Sequence, residues 1–242
     1  MSFSDRVLII GHRGAAGLSP ENTLPSFRRA WALGVNAVEL DVHLVEDELV
    51  VIHDDTLERT TNGQGPVAGR SLAALRGLDA GGGWPIPLLR EVVAALPAGA
   101  GLNVELKGAG TAAAAARYLS GLPGVDLLAS SFDHDELVRF HDLAPNVPVA
   151  PLYDRWRDDV WETAAELGAW SVNLSRRAVT AERVQEAARR GLAVLVYTVN
   201  DLNEAGRLIG MGVRGVFTDY PDRITLAALA DRAPAAGDSA RP

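Results

Sequence analysis

The chain has 242 residues, of which 48% are hydrophobic and 22% charged, and its formal net charge at pH 7 is -8. This length and apolar content fit one α/β domain of the larger kind with a single large core, although two small domains would also fit. The negative charge argues against nucleic acid as a partner, and the absence of cysteine excludes disulfides, thiolate nucleophiles and cysteine-ligated zinc.

The first residues carry no recognisable targeting signal. A short apolar run soon meets Gly11, His12 and Arg13, so it lacks the length and the cleavage site of a secretory signal. No segment is apolar over the length that a bilayer crossing needs. We therefore expect a soluble, cytoplasmic monomer or homodimer without a stable membrane anchor. Residues 233–242 are small and polar and include prolines, and we expect a disordered tail there.

Short β-branched segments alternate with segments rich in Ala, Leu, Arg and Glu from end to end, which is typical of βα units that build a parallel sheet. The predicted strands span residues 7–11, 37–44, 102–106, 127–131, 147–152, 171–174, 193–199 and 215–218. The predicted helices span residues 24–33, 88–96, 111–119, 133–143, 159–167, 181–190 and 202–209. Asp133 and Thr180 are predicted N-caps. About eight such units predict a closed (β/α)8 TIM barrel that occupies residues 1–232 as one domain.

The irregular stretch of the chain is residues 54–87, between the second strand and its helix. A short extra strand, residues 50–52, is predicted just before it, and glycines recur through it up to the run at 81–83. A loop this long within a compact domain is usually functional. We therefore expect this insertion to form a small cap over one end of the barrel.

Two acids, Glu39 and Asp41, stand at alternate positions in the otherwise apolar segment 35–45. Alternate residues of a strand share a face, so both carboxylates would point the same way. Two buried like charges repel each other unless a cation or a shared proton relieves them, which indicates a site for a hard metal ion. A solvated edge strand with its polar residues outward would show the same pattern, so this segment leaves both interpretations open.

Polar residues suited to catalysis recur where the predicted strands end. They are His12, Arg13, Glu39, Asp41, His53, Asp54, Glu105 and Lys107. In barrel enzymes the active site is built at the carboxyl ends of the strands. A single histidine near a strand end is more often structural. Two histidines together with three acids at matching positions indicate an active site, because cores exclude such clusters.

Lys107 is the only lysine of the chain, which also has 22 arginines. Arginine therefore supplies generic positive charge elsewhere, and a retained lysine indicates a place that needs a compact ammonium group, such as a phosphate or the edge of a metal site. Lys107 stands two residues from Glu105, on the same predicted strand face. Chance survival of one surface lysine is the alternative interpretation.

Several short motifs follow one another between about residues 7 and 228. They are His12-Arg13-Gly14, Pro20-Glu21-Asn22-Thr23, Glu39-Leu40-Asp41, His53-Asp54, Ile86-Pro87, Glu105-Leu106-Lys107, Ser131-Phe132, Tyr197-Thr198-Val199-Asn200 and Thr218-Asp219-Tyr220-Pro221. None is specific alone, but the ordered set resembles the glycerophosphodiester phosphodiesterase family. The resemblance implies a TIM barrel with a small insertion after strand 2, where residues 54–87 stand.

The resemblance also implies a reaction, namely metal-dependent hydrolysis of a small glycerophosphodiester to glycerol 3-phosphate and an alcohol. Glu39, Asp41 and Glu105 would hold one divalent ion, Ca2+ or Mg2+. His12 and His53 would be the general acid/base pair. The phosphate would be bound by Arg13, and Lys107 would lie beside the leaving or bridging oxygens. Glu21 and Asn22 would support the site, and Tyr197 would line the substrate pocket. Trp84, in the cap, would either cover the glycerol or fill the rim of the barrel. Water and the neighbouring glycerol hydroxyl both remain possible nucleophiles.

The sequence departs from the family pattern at two substrate-lining positions. Ser130 stands where the family often has Gln, and Tyr197 stands where it often has Trp, so the preference for a leaving alcohol stays open. His43 falls at a variable position of the family, and we expect it to be structural. His134 and His141 lie on a predicted helix and match no motif.

Two other functions fit parts of the pattern. A phospholipase D-like or phosphoinositide-cleaving barrel also uses two histidines and a metal, but it should show an apolar rim or a basic membrane face, and this acidic chain has no amphipathic basic helix. A noncatalytic phosphate-ester binding protein could discard the acid/base histidines, and both are present here. Hydrolysis of glycerophosphodiesters is therefore the function that we predict.

Overall fold

The computed structural model of the protein describes residues 7–122 and 124–231. Nine strands in this part of the chain form one sheet: β1 (Leu8–Gly11), β2 (Ala37–Val45), β3 (Glu48–Val51), β4 (Gly101–Leu106), β5 (Asp126–Ser131), β6 (Val149–Tyr153), β7 (Ser171–Ser175), β8 (Ala193–Tyr197) and β9 (Gly215–Thr218). Eight are parallel and close into a barrel because β1 pairs with both β2 and β9. The extra strand β3 runs antiparallel to β2. This closure confirms the predicted (β/α)8 TIM barrel.

Helices follow the barrel strands along the chain. Within the described residues they are α1 (Leu24–Ala32), α2 (Leu72–Arg76), α3 (Leu89–Ala95), α4 (Thr111–Leu119), α5 (His134–Leu143), α6 (Val160–Glu166), α7 (Ala181–Arg189), α8 (Leu202–Gly210) and α9 (Leu226–Ala230). The side chains of Asp133 and Thr180 accept hydrogen bonds from the first turns of α5 and α7, which confirms both predicted N-caps. None of these helices has the length and apolar character that a bilayer crossing needs.

The predicted boundaries differ from the observed ones by at most two residues, but two helices were not predicted. Both α2 and α9 have five residues and begin after a capping side chain, Ser71 and Thr225 respectively. Such short helices show little more than one turn of hydrophobic periodicity, so the sequence pattern does not distinguish them from loops. The strand predicted over 193–199 ends at Tyr197, where the last pairing of β8 with β7 lies.

The interior of the barrel changes from apolar to polar along the strands. Aliphatic and aromatic side chains from six strands form its buried core: Leu8, Ile10, Ala37, Leu128, Ala150, Leu195 and Phe217. Because alternate residues share a face, the strand that points Ala37 into the barrel also points Glu39 and Asp41 there. The apolar residues therefore form a floor, and the acids of β2 lie toward the carboxyl ends of the strands.

The insertion, residues 54–87, has a hydrophobic core of its own. That core joins buried side chains of the insertion to others from β2, β3 and the start of α3: Val45, Val50, Ile52, Leu57, Val67, Leu75, Ala80, Ile86 and Leu88. Antiparallel β3 ends opposite Val42, and the N–H of Ile52 donates to the carbonyl of Asp41 at 3.1 Å, so the insertion begins next to the acids of β2. The tail predicted over 233–242 lies outside the described residues.

Candidate active site

A cavity of about 150 Å³ opens at the carboxyl ends of the barrel strands. Six of the predicted site residues line it, together with other polar and apolar side chains. The six are His12, Arg13, Glu39, His53, Glu105 and Tyr197, and the others are Asn103, Ser130, Phe132, Leu152, Thr198 and Phe217. Four larger cavities, of about 260 to 570 Å³, lie elsewhere in the described part of the chain and are lined by none of the predicted site residues. The predicted site residues that line a cavity therefore all line this small one.

Three carboxylates meet beside this cavity. Glu39 and Asp41 come from β2, and the pairing of β2 with β4 places Glu105 directly opposite Asp41. One oxygen from each of the three lies within 4.8 Å of the others, and the residues are only 3%, 1% and 9% exposed. The alternation of β2 accounts for the first two acids, but only the pairing of the two strands brings in the third.

The hydrogen bonds of these carboxylates leave two buried oxygens without a partner. Glu39 Oε2 accepts from the backbone N–H of Arg13, and Asp41 Oδ2 accepts from the amide of Asn22, both at 2.8 Å. Glu39 Oε1 and Asp41 Oδ1 are buried and have no hydrogen-bond partner among the described residues. A buried carboxylate oxygen is costly unless something positive meets it. The all-oxygen set fits a hard divalent cation.

The same crowding makes Glu39 and Glu105 difficult to ionise. Burial raises the pKa of Glu39 well above its ordinary range, and the neighbouring charges of Asp41 and Glu105 raise it further. Burial, with the charge of Asp41, also raises the pKa of Glu105 to about 7. A bound cation would remove this penalty, so the three carboxylates could hold a divalent ion.

His12 is held by residues from the last barrel strands. Its Nδ1 lies 2.7 Å from Asp219 Oδ1, and the amide of Asn200 donates to the other oxygen of Asp219 at 2.7 Å. Burial alone would raise the pKa of Asp219, but the hydrogen bond with His12 leads the interactions that lower it. Since Nδ1 is occupied, Nε2 is the ring nitrogen that remains for a ligand in the cavity.

A carboxylate also contacts Nδ1 of His53, as Asp219 contacts Nδ1 of His12. Its Nδ1 lies 2.5 Å from Asp54 Oδ1, and its Nε2 lies 3.2 Å from Lys107 Nζ, which is also 3.2 Å from Glu105 Oε1. An ammonium group can only donate, so Nε2 carries the lone pair and Nδ1 the hydrogen. Burial lowers the pKa of His53, which favours this neutral form.

Arg13 and Asn22 both adopt left-handed backbone conformations, with φ of 50° and 56°. Such conformations cost about 1–3 kcal/mol each for residues other than glycine and cluster at functional sites. Gly14 follows with φ of 85°, and a Cβ there would lie 2.5 Å from Ser26 Oγ, so only glycine fits this turn. The turn aims the backbone N–H of Arg13 at Glu39.

Glu21 and Asn22 contact other site residues and are not among the residues that line the cavity. Glu21 Oε1 accepts from Arg13 Nη1 at 2.7 Å, whereas Asn22 is buried beside Asp41. Trp84 is 42% exposed in the insertion and is not among the lining residues either. Its predicted place over the glycerol therefore stays a prediction.

Tyr197 lines the cavity in edge-to-face contact with Phe132, with 5.9 Å between ring centroids. Its hydroxyl is buried without a partner among the described residues, and burial raises its pKa. His43 is also buried, and its Nε2 lies 3.3 Å from the backbone carbonyl of His53. That contact is the supporting kind that a structural histidine would make.

Four polar residues at the site were not assigned roles from the sequence: Asp54, Arg59, Asn200 and Asp219. Asp54 directly follows His53, and Asp219 directly follows the last residue of β9. Acids at such positions, just after a strand, are candidates for a barrel active site, so the sequence does carry a signal for these two. Arg59 lies inside the irregular insertion and shows no pattern in the sequence. Its contacts emerge only when the insertion folds back on the barrel.

Comparison with known proteins gives consistent matches over most of the chain. A family model described as Glycerophosphoryl diester phosphodiesterase family matches residues 12–223. A glycerophosphodiester phosphodiesterase of Bacillus subtilis (strain 168) is 33% identical over 90% of this chain and 85% of that protein. One of Caldanaerobacter subterraneus subsp. tengcongensis is 32% identical over 90% of this chain and 96% of that protein.

A solved structure agrees with these sequence matches. It is an Oleispira antarctica phosphodiesterase in complex with the product sn-glycerol-3-phosphate. The two chains are 32% identical, the match covers 96% of this chain and 100% of that one, and the TM-score is 0.88. The similarity therefore extends over the barrel and the insertion together.

Proposed function

Because the chain belongs to the glycerophosphoryl diester phosphodiesterase family and is an enzyme of that class, we propose that it hydrolyses glycerophosphodiesters by a metal-dependent mechanism with two histidines as general acid and base. The products are glycerol 3-phosphate and an alcohol. The similar Oleispira antarctica phosphodiesterase is described with sn-glycerol-3-phosphate as its product, which supports the same product here.

One observation carries this proposal. Three buried carboxylates with two unpartnered oxygens lie in the same small region as two histidines whose Nδ1 atoms are occupied by separate acids. This cluster of acids and histidines would not stabilise a purely structural core, because each buried charge costs free energy unless an opposite charge or a hydrogen bond compensates it. Glu39, Asp41 and Glu105 would hold one Ca2+ or Mg2+, and the two histidines would face the substrate beside it.

Each charged residue then has a distinct task. A bound divalent ion would stabilise the negative charge that grows on the phosphoryl oxygens. Arg13 and Lys107 would bind and orient the phosphate through their positive charges. Glu21 would hold Arg13 through the 2.7 Å hydrogen bond, and Asn22 would hold Asp41.

The two histidines would move the protons. With substrate bound, Lys107 would donate to the phosphate in place of His53 Nε2, and the freed lone pair would accept the proton of an attacking water. If the neighbouring glycerol hydroxyl attacks instead, the alcohol leaves a cyclic phosphate, and water must then open this ring to give glycerol 3-phosphate. His12 Nε2 would donate a proton to the oxygen of the departing alcohol. Proton transfer of this kind needs opposite protonation states of the two rings at the working pH, and the lowered pKa of His53 favours its role as the base.

The test is a screen of glycerophosphodiesters with different alcohols for release of glycerol 3-phosphate. Each reaction is run with chelator alone and with Ca2+ or Mg2+ added back, and phospholipid vesicles serve as the comparison substrate. We expect turnover of the soluble diesters that stops with chelator and returns with one of the ions. Full turnover after exhaustive chelation would exclude the metal-dependent mechanism, and turnover of vesicles alone would exclude the substrate class.

The acidic cluster also predicts how stability depends on pH and on metal. Because burial raises the pKa values of Glu39 and Glu105, these two carboxyl groups bind more protons in the folded state than in the unfolded state between about pH 4.5 and 7, and together they outweigh the opposite effect of the single lowered pKa of His53. The stability of chelated protein should therefore fall as pH rises through this window. At pH 7.5, an ion at a hundred times its Kd should restore about 2.7 kcal/mol. For a domain of this size that is roughly 5–10 °C in Tm.

Glu39→Gln tests the cause of this behaviour. The variant keeps the volume and removes one repelling charge, so its chelated form should melt at a higher temperature than the chelated parent protein, and the ion should raise its Tm much less. Glu162→Gln, at an exposed position of α6, is the matched control and should change neither quantity. An ion-induced rise in Glu39→Gln equal to that of the parent would mean that Glu39 is not a ligand.

A further inference from the structure

The side chain of Arg59 bridges two carboxylates of the site, Glu21 and Asp54, which lie in separate loops of the chain. Its guanidinium donates to Asp54 Oδ2 at 2.6 Å and to Asp54 Oδ1 at 2.8 Å, and it donates to both oxygens of Glu21 at 2.8 Å. The side chain is 47% exposed and is not among the residues that line the cavity. It therefore contacts the partners of Arg13 and His53, and neither of those residues directly.

The Glu21 end of this bridge controls Arg13. Glu21 Oε1 accepts from Arg13 Nη1 as well as from Arg59 Nη2, so the carboxylate is shared between two guanidinium groups. Without Arg59, the Glu21 carboxylate would lose two of its three hydrogen bonds from guanidinium groups and would be free to rotate about the remaining one, from Arg13 Nη1. That rotation would draw the guanidinium of Arg13 away from the place where the phosphate has to bind.

The Asp54 end controls His53. Asp54 Oδ1 accepts from Arg59 Nη2 and lies 2.5 Å from His53 Nδ1, while Oδ2 is occupied by Arg59 Nε. The hydrogen bond from Arg59 also lowers the pKa of Asp54, which keeps the carboxylate ionised beside the ring. An ionised and oriented acceptor fixes both the plane of the imidazole and the nitrogen that carries its hydrogen.

The backbone around Arg59 is well anchored. Leu57 is fully buried in the core of the insertion, and its N–H donates to the carbonyl of Gly65 at 3.0 Å. Thr61 returns two hydrogen bonds to the carbonyl of Leu57, one from its N–H and one from its hydroxyl. Arg59 therefore projects from a rigid turn, so its bridge transmits the position of the insertion to the site.

We propose that Arg59 is a positioning residue for diester hydrolysis, which clamps Glu21 to Asp54 and so sets Arg13 and His53 at a fixed separation. The inference rests on the proposed function, and it gives the insertion a part in that function. The clamp needs arginine, because a planar guanidinium can serve two carboxylates with two bonds each, whereas an ammonium group cannot reproduce that geometry.

The kinetic test compares Arg59→Gln and Arg59→Lys with single changes at the two ends. Glu21→Gln should mainly raise KM, Asp54→Asn should mainly lower kcat, and Arg59→Gln should do both. We expect kcat/KM of Arg59→Gln to fall roughly tenfold to a hundredfold, since small misplacements of reacting groups have effects of this size. Arg59→Lys should recover little of the loss. In the Asp54→Asn background, Arg59→Gln should add only the effect on KM.

The control is Arg90→Gln, which removes another exposed arginine ion pair, with Glu48, on the outer helix α3. It should leave the kinetics unchanged, and Tm of every variant shows whether the fold persists. Kinetics of Arg59→Gln within twofold of the parent at unchanged Tm, or full rescue by Arg59→Lys, would overturn the proposal.

A spectroscopic measurement does not depend on turnover. Histidine-selective 15N NMR, with the His53 signals assigned from a His53→Gln sample, reports which ring nitrogen carries the hydrogen. Arg59→Gln should shift the His53 ring signals and leave those of His141 in place. Unchanged His53 signals would overturn the clamp whatever the kinetics show. Absence of turnover in the parent protein on every diester would instead reject the proposed function, while the NMR comparison still decides the role of Arg59.

Discussion

Replacing His12 or His53 by alanine is expected to lower kcat by about two to four orders of magnitude, the range over which a lost proton-transfer group usually acts. Each ring is oriented through Nδ1, His12 by Asp219 at 2.7 Å and His53 by Asp54 at 2.5 Å, so alanine removes a group that is already prepared for proton transfer. Steady-state kinetics on glycerophosphocholine with saturating divalent ion would measure both losses. The double variant should be about as slow as the slower single variant, because the two transfers serve one reaction.

Substrates with different leaving groups distinguish the general acid, His12, from the general base, His53. A diester of p-nitrophenol needs little protonation as it departs, so His12→Ala should lose far less activity on it than on glycerophosphocholine. His53→Ala should lose a similar factor on both, because the nucleophile still has to be deprotonated. His141→Ala, on the outer helix α5, is the control and should behave like the parent protein. Near-normal turnover of either site variant on a diester with a poor leaving group would show that this histidine is structural.

Lys107→Arg is expected to lower kcat/KM about a hundredfold although it keeps the charge. Lys107 Nζ lies 3.2 Å from both His53 Nε2 and Glu105 Oε1, so one compact ammonium group serves both partners. The longer, planar guanidinium would reach past this point and displace the phosphate or the ring of His53. The measurement is kcat/KM on glycerophosphocholine after an unchanged Tm has been verified.

A second variant shows whether charge or shape is responsible. Lys107→Gln removes the charge, and we expect a loss at least as large as that of Lys107→Arg. The control for a conservative exchange is Arg139→Lys, an exposed arginine that pairs with the buried carboxylate of Glu136 on α5, and it should have little effect on the kinetics. Wild-type kinetics of Lys107→Arg would contradict the need for a compact ammonium group, and the single lysine would then be an accident of composition.

Local patterns in the sequence predicted the barrel well because its strands and helices repeat over short distances. In β2 the alternation of polar and apolar residues places Glu39 and Asp41 on one face, and this holds whichever strands are its neighbours. The order of βα units, with the known handedness of their connections, leaves few topologies other than a closed barrel. The short helices α2 and α9 are not predicted, because five residues are too few to show the hydrophobic periodicity of a helix.

The sequence by itself determined the barrel, the two acids on one face of β2 and the histidines at strand ends, since each follows from chemistry within a few residues. The tertiary structure alone decided which groups meet. Asp219 reaches His12 across 207 positions of sequence because β9 pairs with β1, and Arg59 reaches Glu21 across 38 because the insertion folds back on the barrel. Contacts of this length depend on strand closure and loop conformation, and these arise from the packing of the whole chain, which no local pattern contains.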